Sequence, residues 1–355
     1  MNDVTILAPL PPSNTTVVLM RGTDFADDGT ALVPRVLFDR LAGPAPDTGL
    51  SPILGAATYE RIHLIAVRVD LCDRLLPGAC RETDDARMRL VFQPLHGDGE
   101  AEDVGFHAFY TIRHDEIAGA VAALRELAML APPQTGALRV SPALSATNPE
   151  AYATKVRAFV KRYGGDGRLA RLTVNAQPQV SGQVRWVLRG VEKKWNAFVD
   201  IPIVGASATD VSESIVFGDS YDVKPIADTP SGLLGALQKN MFDAASATKQ
   251  RDYLAVLAAV ENPMTHTTET TACVACHVST VVTRERSIGA SIDPLTLPGR
   301  YTSNFDLSTA AGESATNPRT LRALGFAVRQ PMISQRVVNE TAQTLAELEA
   351  RFPPP

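Results

Sequence analysis

The chain has 355 residues, a net charge of −5, 45% hydrophobic and 21% charged residues. That length gives room for two domains, and that composition describes a globular protein, not a disordered one. The acidic balance, with basic residues scattered along the chain, argues against nucleic-acid binding, and no run of about 18 apolar residues supplies a membrane-spanning helix.

Residues 1–20 read as an extended N-terminal segment. Met1 to Val4 lacks the basic start of a signal peptide, and the following apolar stretch is broken by Pro11, Pro12 and Asn14. The sequence therefore reads as a mature form, in which Pro9 to Asn14 suits a tether after a leader or a lipid anchor. Asp24, Asp27, Asp28 and Gly29 form an acidic turn without the spacing of a calcium loop.

Residues 21–224 are expected to form an α+β domain with antiparallel strands and two helices. Arg61–Asp70, Arg87–Phe92 and Phe106–Ile112 are rich in branched and aromatic residues and are separated by turn-like segments. Four histidines fall in this region, His63, His96, His107 and His114. Each reads as a surface or half-buried residue, and one of them could reach a C-terminal site if the two parts pack together. Cys72 and Cys80 bracket a short loop containing Pro77-Gly78. A disulfide there would close a small ring and contribute roughly 2–3 kcal/mol; two free buried thiols are the alternative.

Ile117, Val121, Leu124, Leu127 and Leu130 recur at helical spacing from about Asp115 to Ala131, where Pro132-Pro133 stops the run. A second helix is capped by Asn148 with Pro149 at its first turn, has an apolar stripe from Tyr152 to Tyr163 and ends at Gly164-Gly165. Half-exposed antiparallel strands follow over 168–176, 183–191 and 195–204. Phe217-Gly-Asp-Ser220 resembles the first block of the GDSL-type esterases, whose serine is the nucleophile. The late Asp-x-x-His pair of that family has no match here, and without a base a serine hydroxyl is a poor nucleophile. The stretch reads as a strand-to-turn exit.

Residues 225–355 are expected to be a mostly helical, loop-rich unit. Leu233–Asn240 and Ala247–Glu261 read as helices, the second stopped by Asn262-Pro263. A short helix is expected from Asn317-Pro318, with Leu321 and Leu324 inward and Gly325 closing it. A final amphipathic helix carries Val338, Ala342, Leu345 and Leu348, with Ser334 as its N-cap.

The stretch that dictates a specific chemistry is Cys273-Val274-Ala275-Cys276-His277. Cys-x-x-Cys-His is the spacing at which two thiols attach a c-type haem and the next residue supplies an axial imidazole. Here the chain resembles the c-type cytochromes, over five residues firmly and over about the last hundred loosely. The resemblance implies one covalent haem c on Cys273 and Cys276, His277 as an iron ligand, and export to the periplasm or cell exterior. It implies an electron-transfer role with a redox partner protein or a larger complex. Met332, behind Pro331 and before the last helix, takes the place of the family's second axial ligand; Met264, His266 and a histidine of the first domain such as His63 are the rivals. In the family the motif opens a helix, but the β-branched residues after His277 are poor helix formers, so an irregular haem pocket is expected. A Cys273–Cys276 disulfide of thioredoxin type or a zinc site with His266 remain alternatives for the motif. An interaction or assembly protein and a peroxidase-like haem enzyme remain alternatives for the function.

Overall fold

A computed structural model describes residues 4–11, 19–43, 54–71, 81, 83–131, 138–176, 184–201, 211–216, 220–221, 232–267, 273–302 and 323–353. The architecture is α+β. One antiparallel sheet carries most of the strands. Its order is β1 (Thr5–Leu7), β2 (Ile62–Asp70), β3 (Ala86–Pro94), β4 (Val104–Ile112), β5 (Leu169–Ala176), β6 (Val184–Lys194), β8 (Val211–Val216) and β9 (Ser220–Tyr221), with β7 (Ala197–Asp200) paired to one end of β6.

Successive side chains of a strand point to opposite faces, so the sheet has two unlike surfaces. Met88, Leu90, Phe92, Phe106, Ala108, Tyr110 and Ile112 face one way and are buried. Three helices cover them: α1 (Arg35–Ala42), α2 (Ile117–Leu130) and α3 (Glu150–Tyr163). Phe38 of α1 stacks on Phe106 with ring centres 5.2 Å apart, and the buried Tyr110 hydroxyl donates to the Leu32 carbonyl. Helix α3 starts one residue later than expected, with Pro149 rather than Asn148 at its N-cap position.

The other face presents Arg68, Arg89, Gln93, His107, Arg171 and Glu192. Arg68, Gln93, Arg171 and Glu192 are buried, so β5, expected half-exposed, is covered on this face, whereas β7 is exposed to half-buried. Two C-terminal elements cover this polar face. One is the hairpin of β10 (Leu324–Ala327) and β11 (Gln330–Ile333), and the other is α8 (Gln335–Arg351), whose N-cap is Ser334 as expected. Thr341 of α8 bonds Thr5 across a hydroxyl pair 2.8 Å apart, and Glu340 pairs with Arg68. Gln93 fastens the hairpin, accepting from the Phe326 amide at 2.7 Å and donating to its carbonyl at 3.0 Å. Gly325 is required here: its φ is 153°, and a Cβ on it would meet Gln93 Oε1 at 2.5 Å.

The remaining helices are α4 (Leu233–Leu237), α5 (Lys239–Asp243), α6 (Ala247–Val260) and α7 (Cys273–Ala290). Leu233, Leu237, Phe242, Leu254, Leu257, Val278 and Val282 gather into a second core, which Leu188 of β6 also joins. The terminal helix α8, expected within the C-terminal unit, instead contributes Val337, Val338, Ala342, Leu345 and Leu348 to the core of the sheet. The loop expected around the Cys-x-x-Cys-His motif is corrected as well: from Cys273 onward the chain is an eighteen-residue α-helix.

Candidate functional site

Cys273 is the first residue of α7, and Cys276 and His277 follow one turn later. Residues three and four apart lie on the same side of a helix, so the three motif positions fall on one side of α7. At His277 the helix meets the polar side of the sheet. The His277 ring lies edge-on to the ring of His107 on β4, with centres 6.5 Å apart and planes at 73°. Both rings are half-buried. His107 is aimed away from the aromatic core because Phe106 and Ala108 on either side point into it. Its register neighbours are Val91 on β3 and Thr173 on β5.

A buried ionic network surrounds this junction. Arg68 pairs with Asp70 and with Glu340, and Arg89 reaches Asp70 at 3.1 Å. Arg336 reaches Glu340 at 2.6 Å and donates to the carbonyls of Val260 at 3.0 Å and His266 at 2.7 Å. One guanidinium on α8 thus pins the end of α6 and the segment leading to the motif. Burial alone would raise the Glu340 carboxyl, but Arg68, Arg336 and Arg89 outweigh it and hold it well below the usual carboxylate range. The Nε atoms of Arg68 and Arg89 are buried without a hydrogen-bond partner.

Cys276 is a free cysteine packed against the second core. Desolvation pushes its thiol up to about 11, against the pull of Arg336. Among the described residues no group of three or more His, Cys, Asp or Glu side chains is gathered as metal ligands.

The other predicted ligands lie apart in character. Met332 is in strand β11, not in a loop, opposite Gly325 and 1% exposed. The His266 ring is half-buried, and burial together with Arg336 lowers its imidazole below the ordinary value. His96 and His114 are exposed, and His63 sits with Nδ1 2.6 Å from the Arg61 carbonyl. Cys72 and Cys80 lie outside the described residues, as do Phe217 to Asp219, the start of the helix expected from Asn317-Pro318 and the side chain of Cys273; Leu324 and Gly325, expected to close that helix, are in strand β10 instead. The residues that sequence reasoning missed are Arg68, Arg89, Arg336 and Glu340. Arginine and glutamate within strands and an amphipathic helix carry the ordinary signature of solvated positions.

Compared with protein-family models, with curated proteins and with solved structures, the chain matches none.

Proposed function

We propose that the chain is an extracytoplasmic single-haem c-type cytochrome, holding one haem c covalently through Cys273 and Cys276 with His277 as an axial ligand. The observation that carries this reading is a Cys-x-x-Cys-His motif opening an α-helix, with its histidine edge-on to a second imidazole on the sheet's polar face. The donor set fits the group: a free, neutral Cys276 thiol and two imidazole rings with centres 6.5 Å apart. Two imidazoles bound to one metal, each at about 2.0–2.1 Å, put their ring centres roughly 6 Å apart, close to the spacing seen for His107 and His277. We therefore rank His107 ahead of Met332 and His266 as the second ligand. Bound there, the haem iron supplies a one-electron redox centre. The chain's own residues would set its surroundings. Arg336 holds the backbone before the motif, and the ion-paired network of Arg68, Arg89, Asp70 and Glu340 fixes the charges on the sheet face. A redox partner protein would exchange the electron.

The test is to export the protein in a host with haem-attachment machinery and then denature it. A haem-sized mass increment on a peptide spanning 270–280 and persistent red colour are expected. Replacing His107 with alanine should destroy the low-spin spectrum, while Met332→Ala should keep it. Low-spin character surviving in H107A but lost in M332A would return the sixth position to Met332. A colourless protein of unmodified mass would sink the haem reading.

A further inference from the structure

Helix α7 has a second use beyond its first turn. Between it, α6, the start of α8 and a 3₁₀ turn at Pro294–Thr296 lies a cavity of about 600 Å³. Ala258, Ile288, Leu295 and Leu297 make its walls largely apolar. That volume is within the range of small-molecule sites, about 300–1,000 Å³. None of Cys273, Cys276, His277 or His107 lines it.

The hydroxyls in the wall are unusual for a helix. A serine or threonine inside a helix ordinarily bonds the carbonyl four residues back, and Ser279 does so with Ala275. Thr283 and Ser287, one turn apart, do not. They are 7% and 3% exposed, line the cavity, and their hydroxyls have no hydrogen-bond partner. A buried hydroxyl left unpaired is unfavourable, so a guest in the cavity that hydrogen-bonds Thr283 and Ser287 would gain from both. The charged residues of the wall are Glu261 and Asp293 against Arg284 and Arg300. Two residues of each sign therefore line the wall, and the charged probe in the test below reads their balance.

We propose that this cavity is a binding site for a neutral, largely apolar molecule bearing a hydroxyl or carbonyl oxygen, which Thr283 and Ser287 would engage. The site stands independently of haem attachment.

Titration of the full chain with three probes of one ring system tests this: naphthol, naphthalene and naphthoate, followed by probe fluorescence. Naphthol should bind more tightly than naphthalene, and naphthoate no more tightly than naphthol. Thr283→Val and Ser287→Ala should each weaken naphthol roughly three- to tenfold while leaving naphthalene unchanged. Both variants should melt no lower than the parent, because each removes an unpaired hydroxyl. Equal binding of naphthol and naphthalene, or unchanged naphthol affinity in both variants, would reduce the cavity to an apolar void. Tightest binding of naphthoate would make it an anion site read by the arginines. No binding of any probe would overturn the proposal outright.

Discussion

Glu261 and Glu340 show how one polar interior treats two carboxylates differently. Glu340 meets Arg68 and Arg336 directly and stays ionised. Glu261 caps the end of α6, is 6% exposed, and accepts a hydrogen bond from Thr280. Burial dominates there: Thr280, Arg336 and Arg300 pull the other way, yet the carboxyl is pushed up to about 7. A carboxyl raised in the folded state is most favourable below its unfolded value near 4.5, and that contribution is lost as pH rises through about 7. Stability should therefore fall across this window by up to about 3 kcal/mol. Glu261→Gln keeps the shape and the acceptor for Thr280 but cannot ionise. Its denaturant midpoint should match the parent near pH 4 and exceed it at pH 8. A variant less stable than the parent at pH 8 would mean that the ionised form, paired with arginine, is what the fold requires.

Most elements were legible because their periodicity is plain. Strands β2 to β6 alternate, α2 and α3 carry unbroken stripes, and α8 follows a serine cap. Helix α7 was not legible. Val278, Thr280, Val281, Val282 and Thr283 are β-branched, and each is a few tenths of a kcal/mol worse than alanine in a helix, up to about 0.7. Burial reverses that preference. Val278 and Val282 pack with Leu254 and Leu257 of α6, and burying one such side chain is worth about 1.5–3 kcal/mol. Strands β1, β10 and β11 are three or four residues long, too short for a pattern to emerge. Arg68 and Arg89 do not stand out in the sequence for a different reason: alternation shows which residues share a face, not that α8 will cover it. The site was half legible in the same sense. Cys273, Cys276 and His277 announce themselves by spacing, whereas His107 is a single histidine on a strand, joined to the motif only by tertiary packing.

At the scale of the whole molecule, the chain is divided by its cores in an order that sequence does not follow. The sheet, α1 to α3, the β10–β11 hairpin and α8 share one core, while α4 to α7 with Leu188 form another. The contacts that tie α8 to α6 and its following segment are polar. Arg336 donates to the carbonyls of Val260 and His266, and Asn339 donates to the carbonyl of Glu261 at 2.9 Å. Apolar burial scales with area, so α8 gains more from the sheet, where five of its aliphatic side chains are buried, than from α6. Proteins open in cooperative units that follow such packing. Native-state hydrogen exchange at rising denaturant should therefore place the amides of α8 with those of β2 to β5, sharing one opening free energy. The amides of α6 and α7 should merge into a second set that opens at lower denaturant, because their core is the smaller. If α8 exchanges together with α6 and α7 instead, the polar contacts govern the coupling. The molecule would then divide near residue 225, as its sequence implies, and the motif helix would open together with the arginine that positions it.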